Sequence, residues 1–243
     1  VIPRPVRKLK YVRLCIFVNR PVGKGIVNYR CINTEINSKK KECDSMKITI
    51  LAENTACNMF PGEHGLSLLV EYRDRKVLID TGASGLFAEN AGKMGMDLAG
   101  VNAAFLSHAH YDHSGGYPAF FAINTTAKVY LQKSAKRRHY FKIFGAIKKN
   151  IGIPEGVLDR YADRFVYVEG YRDFENGICV LPHSTPDKIL QRAKRTPMCV
   201  ETEGRIDFDD FSHEQTVVFE EEDGLVCVNS CSHAGVDACS YIK

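Results

Sequence analysis

The sequence predicts an α/β domain from Met46 onward, and three observations carry that expectation. Short β-like runs bounded by turn residues recur along the chain. Phe87, Ala91 and Met94 return at helical spacing. The stretch "VNAAFLS" (101–107) is an almost continuous apolar run, as expected of a strand buried on both faces. At 243 residues, 44% hydrophobic and 26% charged, the chain suits one large domain or two small ones with a real core.

In chain order, "KITILA" after Met46 reads as a strand. "LSLLVEY" (66–72) and "KVLID" (76–80) flank the polar turn "RDR" and read as a hairpin. "DTG" (80–82) ends the second strand in a tight loop, and a helix follows, stopping at Gly95. "KVYLQ" (128–132) is another strand, followed by a basic amphipathic stretch, "SAKRRHYFKIF", expected to be helical with a solvated face. "RFVYVEG" and "GICVLP" are further strands. Residues 183–213 are polar and irregular, with a helix expected to start at Pro186. "EQTVVFEEEDGLVCVNS" reads as two β runs around Asp223-Gly224.

Residues 1–45 differ in texture. They hold six Lys and five Arg against three acids, a net +8, so the remainder carries −4 of the total +4. Without helical period, heptad or aromatic-basic interleaving, this basic extension is expected to stand outside the fold, with Met46 as the natural first residue and 46–243 as the domain. An arm that binds nucleic acid or an anionic surface is the competing reading. No run approaches the roughly 18–20 apolar residues of a membrane span, and "YVRLCIFV" has no cleavage site behind it. The nine cysteines form no C-x-x-C pair, which points to reduced thiols and a cytoplasmic location. Cys227, Cys231 and Cys239 crowd the end; a thiolate metal site and, for Cys227, a buried apolar role both stand open.

The chemistry concentrates in "SHAHYDHSGG" (107–116). His108 and His110 leave a strand two residues apart, so both imidazoles fall on one side of the chain, as two ligands of one ion require. Asp112 and His113 follow at a turn, and Gly115-Gly116 let the backbone bend away. Imidazole and carboxylate suit Zn²⁺, one or two ions, with Mn²⁺ or Fe²⁺ as alternatives. More ligands must come from elsewhere. His233 stands out because it also follows an apolar strand. His139 is expected at the surface, and His183 lies in a polar loop without a motif.

"DTG", "SHAHYDHSGG" and a strand-end His233, in that order, resemble the metallo-β-lactamase superfamily. "ENTA", "EHGLSLLVEY", "VLIDTGASGLFAENAGKMGMDL" and "DDFSHEQTVVFEEEDGLVCVNSCSHAGV" resemble one subgroup within it, whose members are labelled dihydropterin-pathway synthases or metal-dependent hydrolases. The resemblance implies a four-layer αβ/βα sandwich with the site between its sheets. It implies that His108, His110 and His233 bind one metal, with ring nitrogens within about 5 Å of one another. Asp112, also the candidate catalytic residue, and His113 would bind a second, and Asp80 would orient a ligand by hydrogen bond. His64 and His213, in "EHGLS" and "FSHEQ", are candidates to line a substrate pocket or to be structural. Members of the family continue past the "CSHAG" segment, so the domain is expected to be C-terminally incomplete, with the second metal short of a ligand.

The implied chemistry is metal-assisted hydrolysis of an ester, thioester or phosphoester. A pterin-pathway synthase or transferase and an inactive metal-binding fragment are the alternatives. The partner is a small molecule, and a phosphorylated one would find Lys136, Arg137 and Arg138. The acidic body from Met46 onward disfavours nucleic acid, and the oligomeric state stays open.

Overall fold

In the computed structural model, which describes residues 12–16, 46–57, 59–143, 147–183, 191, 194, 196–222 and 224–235, the expected hairpins form the frame of two facing sheets. The strands in chain order are β1 (Val12–Ile16), β2 (Lys47–Ala52), β3 (Ser67–Tyr72), β4 (Arg75–Ile79), β5 (Ala103–Phe105), β6 (Lys128–Gln132), β7 (Arg138–Ile143) and β8 (Ile147–Asn150). They continue as β9 (Phe165–Val168), β10 (Arg172–Phe174), β11 (Ile178–Pro182), β12 (Met198–Thr202), β13 (Arg205–Phe208), β14 (Gln215–Glu221) and β15 (Gly224–Val228). The helices are α1 (Leu86–Lys93), α2 (Tyr111–Ser114), α3 (Tyr117–Ile123) and α4 (Val157–Arg160).

The first sheet has the order β2-β3-β4-β5-β6-β9. Its first three strands are antiparallel and the rest are joined in parallel. Period-2 alternation explains its two apolar faces. In "SLLVEY", Leu68 and Val70 point to one side and Leu69 to the other. The Leu69 face, with Leu78, Ala104 and Val129, packs under Phe87 and Ala91 of α1 and Phe120 and Phe121 of α3. The Leu68 face, with Val77, Ile79 and Phe105, meets Val180, Val217, Phe219, Val226 and Val228 of the second sheet, whose order is β1-β15-β14-β11-β10. Each such side chain contributes about 1.5–3 kcal/mol by leaving water. Helix, sheet and facing sheet are thus stacked as an αβ/βα sandwich requires. The outer face of the second sheet carries a further apolar cluster of Leu181, Val218 and Cys227. Strand β1, which lies in the stretch expected to stand apart, runs parallel to β15 at the edge of this sheet.

A smaller sheet, β13-β12-β7-β8, corrects one expectation. "SAKRRHYFKIF" is not a helix. Lys133–Lys136 makes a 3-10 turn, and Arg138–Ile143 is a strand paired with Met198–Thr202. Pairing with a distant segment overrides a local helical pattern here. The helix expected at Pro186 lies outside the described residues.

Asp80 ends β4 and His108 follows β5, two adjacent parallel strands, so both sit at the C-terminal edge of the first sheet. The glycines after the histidine cluster work by closeness, since Gly115 and Gly116 both have ordinary right-handed backbones. A Cβ on Gly115 would stand 2.1 Å from the Ala83 carbonyl oxygen, and one on Gly116 2.2 Å from that of Thr81. The chain after the cluster therefore lies directly on the loop that carries Asp80. Gly115→Ala is expected to destabilise the fold by about 1–3 kcal/mol through overpacking against backbone, read as a lower urea midpoint with unchanged slope.

Candidate metal centre

Three histidines from two separate loops meet at one point. His108 and His110 come from the turn after β5, and His233 from the loop after β15. One ligand atom from each lies within 4.8 Å of the others. The Nε2 atoms of all three are buried and have no hydrogen-bond partner among the described residues. Three convergent buried ring nitrogens without a partner are costly unless something binds them. Burial, followed by the neighbouring imidazoles, holds His108 and His110 well below the usual histidine range, so both stay neutral. Neutral imidazole is the form that ligates a cation.

The tautomers follow from the second nitrogens. His108 Nδ1 donates to Ser107 Oγ (2.9 Å), which donates to Asp80 Oδ2 (2.6 Å). His113 Nδ1 donates to the same Asp80 Oδ2 (2.8 Å). This leaves Nε2 of His108 as the acceptor, and Nε2 of His113 facing the Cys231 sulfur at 3.3 Å. Asp80 also accepts the Ser107 N–H at 2.7 Å. Asp112 lies beside this group, its Oδ2 3.7 Å from His113 Nε2 and 3.0 Å from His64 Nε2. Gly65, with φ of 128°, brings the His64 turn onto the Asp112 backbone, where a Cβ would stand 1.8 Å from the Asp112 carbonyl oxygen.

Two carboxylates hold the loops. Glu214 accepts the N–H groups of His233 (2.7 Å) and Ala234 (3.0 Å), and its Oε2 pairs with His183 Nδ1 at 2.7 Å. Burial works to raise the Glu214 carboxyl, but the His183 hydrogen bond and charge outweigh it and bring it to about 2. Asp209 accepts from His139 Nδ1 (3.0 Å) and His213 Nε2 (3.2 Å). The Ala109 N–H, between the two cluster histidines, donates to His213 Nδ1 at 3.0 Å.

The structure therefore moves several residues from their expected places. His139, expected at the surface, is fully buried on β7, where burial followed by the neighbouring His213 brings its imidazole down to about 4. His213, expected either to line a pocket or to be structural, has 0% exposure and both ring nitrogens held by protein, so it supports the histidine loop from beneath. His110, Asp209 and His213 also offer clustered donor atoms, but Asp209 and His213 spend theirs on each other, His139 and Ala109. His64 is 40% exposed beside Asp112. Arg137 pairs with Asp210 at 2.7 Å, and the Lys136 ammonium sits over the Tyr167 ring, so both are engaged inside the protein. Sequence reasoning missed Asp209, Glu214 and Gln215. Their signal was present in "DDFSHEQ", where only the histidine stood out. A cavity beside the cluster is lined by His110, Asp112, Cys231 and His233 together with the apolar Phe141, Ile151 and Met198.

His213→Ala is expected to weaken zinc affinity by about 10- to 100-fold, as loss of a hydrogen bond behind a ligand does. His213→Asn keeps an acceptor for the Ala109 N–H and is expected to lose less. Competition titration with a chromophoric chelator compares the two.

The family model described as Metallo-beta-lactamase superfamily matches residues 61–185, just over half of the chain. A Methanocaldococcus jannaschii protein named 7,8-dihydropterin-6-methyl-4-(beta-D-ribofuranosyl)-aminobenzene-5′-phosphate synthase is 26% identical over 211 residues, covering 79% of this chain and 70% of its own. An uncharacterized protein of the same organism is 35% identical over 69 residues, 28% of this chain and 27% of its own. Among solved structures, Tm1679, described as a metal-dependent hydrolase of the beta-lactamase superfamily, aligns with a TM-score of 0.66 and 29% identity, covering 80% of this chain and 69% of that one. Because the family match runs through both the Asp80 turn and the His108–His113 cluster, the chain belongs to the metallo-β-lactamase superfamily.

Proposed function

We propose that this protein is a metal-dependent hydrolase that attacks an ester- or phosphoester-type centre with activated water. The observation that carries the reading is the set of three buried Nε2 atoms on His108, His110 and His233 that have no hydrogen-bond partner among the described residues. That donor set fits a divalent cation such as Zn²⁺, with Mn²⁺ and Fe²⁺ as alternatives. His108, His110 and His233 would hold one ion, and Asp112 and His113 a second.

A bound divalent cation supplies Lewis acidity, which lowers the proton affinity of water and neutralises charge developing on the substrate. The chain's own residues do the rest. Asp80 fixes His113 directly and His108 through Ser107, so neither ring is free to turn. Asp112 offers a carboxylate at the cavity wall, paired at 3.0 Å with the 40% exposed His64, and is placed to accept a proton from water there. Phe141, Ile151 and Met198 keep one wall apolar and would seat an uncharged part of a small-molecule substrate. The M. jannaschii relative's name favours a second reading, a synthase that makes a new bond on a phosphorylated pterin-type substrate.

The test is metal analysis of the purified protein with turnover of phosphodiester, thioester and lactone reporters. One or two equivalents of metal are expected. His110→Ala is expected to lose metal and to lower turnover about 100- to 1000-fold, the several kcal/mol that metal assistance contributes. A metal-loaded protein inert on every reporter but active in condensing a pterin substrate would favour the synthase.

A further inference from the structure

We propose that Cys231 is a metal ligand, supplying with His113 the sulfur and nitrogen donors of a second position beside His108, His110 and His233, one suited to a thiophilic divalent cation such as Zn²⁺. This rests on the reading of the histidine cluster as a metal centre and deepens it. The Cys231 sulfur lies 3.3 Å from His113 Nε2. Thiolate and imidazole ligands of one tetrahedral zinc, at about 2.3 and 2.1 Å from it, stand about 3.6 Å apart. Donor atoms of His108, His113 and Cys231 all fall within 4.8 Å of one another. Asp80 occupies the other nitrogen of His113, so Nε2 is the atom left to bind. On a further side of that nitrogen stands the Asp112 carboxylate, at 3.7 Å. His108, 1% exposed, borders this position with a buried Nε2 that has no hydrogen-bond partner among the described residues and that is the donor already counted at the first position.

The backbone around Cys231 is held in place. Ser230 Oγ lies 3.1 Å from His113 Nδ1, Ser232 has a left-handed φ of 49°, and Glu214 grips the next two N–H groups. Cys231 and His233 thus leave their strand two residues apart, as His108 and His110 do. Cys227 makes the contrast. It faces Leu181 and Val218 on the outer side of the second sheet, the place of a small apolar residue.

The experiment is cobalt titration of the full chain, followed by absorption, with Cys231→Ser in parallel and zinc-edge X-ray absorption on the unaltered protein. The expected result is a near-ultraviolet thiolate-to-cobalt band, absent from Cys231→Ser, whose affinity at that position falls about 100-fold or more, beyond the loss typical of a group behind a ligand. Zinc-edge data should show sulfur at about 2.3 Å, a readout that does not depend on the variant folding. Cobalt bound through nitrogen and oxygen alone, or a band unchanged in Cys231→Ser, would overturn the proposal and leave the hydrolase reading standing. A chain that binds no cobalt or zinc would overturn both.

Discussion

Asp80 closes strand β4 with a left-handed backbone, φ 58°, and a carboxylate buried to 0% exposure. A non-glycine residue pays of order 1–3 kcal/mol for that conformation and keeps it only where its surroundings over-determine it. Here they do. The Asp80 oxygens take the Ser107 N–H, the Ser107 hydroxyl and His113 Nδ1, and the Ser107 backbone and side chain are the link to His108. A charge removed from water is stable only when fully hydrogen-bonded. The same bonds that make Asp80 tolerable fix which nitrogen each histidine presents to the centre.

A second group of contacts ties the two sheets together at the same end. Gln215 donates to the carbonyls of Leu106 and Tyr130 and accepts from Gln132, and its N–H reaches the Ser107 carbonyl. It therefore joins the second sheet to the edge of the first just where the histidine loop begins. Its neighbours His213 and Glu214 hold the Ala109 and His233 backbones. One short segment, 213–215, thus sets the distance between the two loops that bring the ligands. An apolar core would be satisfied with any close packing of the same volume, whereas a metal centre needs donors placed to within about half an ångström.

The site also departs from the rules that govern the rest of the molecule. Across the two cores, apolar side chains pack in alternating register. At the loop ends, imidazoles and carboxylates are buried together beside a half-buried thiol, with Nε2 atoms that have no hydrogen-bond partner among the described residues. Local violation of burial rules, supported by a consistent scaffold, is the expected mark of a functional site.

By itself the sequence determined the six strands of the first sheet and β11, β14 and β15 of the second, whose apolar runs and turn residues act over a few neighbours, and the cluster His108, His110, Asp112 and His113, whose spacing is local. The apolar strand before it marked His233, and the family pattern added Asp80. Tertiary structure decided the rest. Pairing with Met198–Thr202 made Arg138–Ile143 a strand and buried His139. Loop contacts between residues more than a hundred positions apart put Cys231 against His113 and His213 beneath Ala109. Hydrogen bonding, not composition, gave Asp209 and Glu214 their work. Periodicity reports which face of an element is buried; it carries no information about which distant side chain will stand within 3 Å, because that depends on how separate strands are brought to one end of a sandwich.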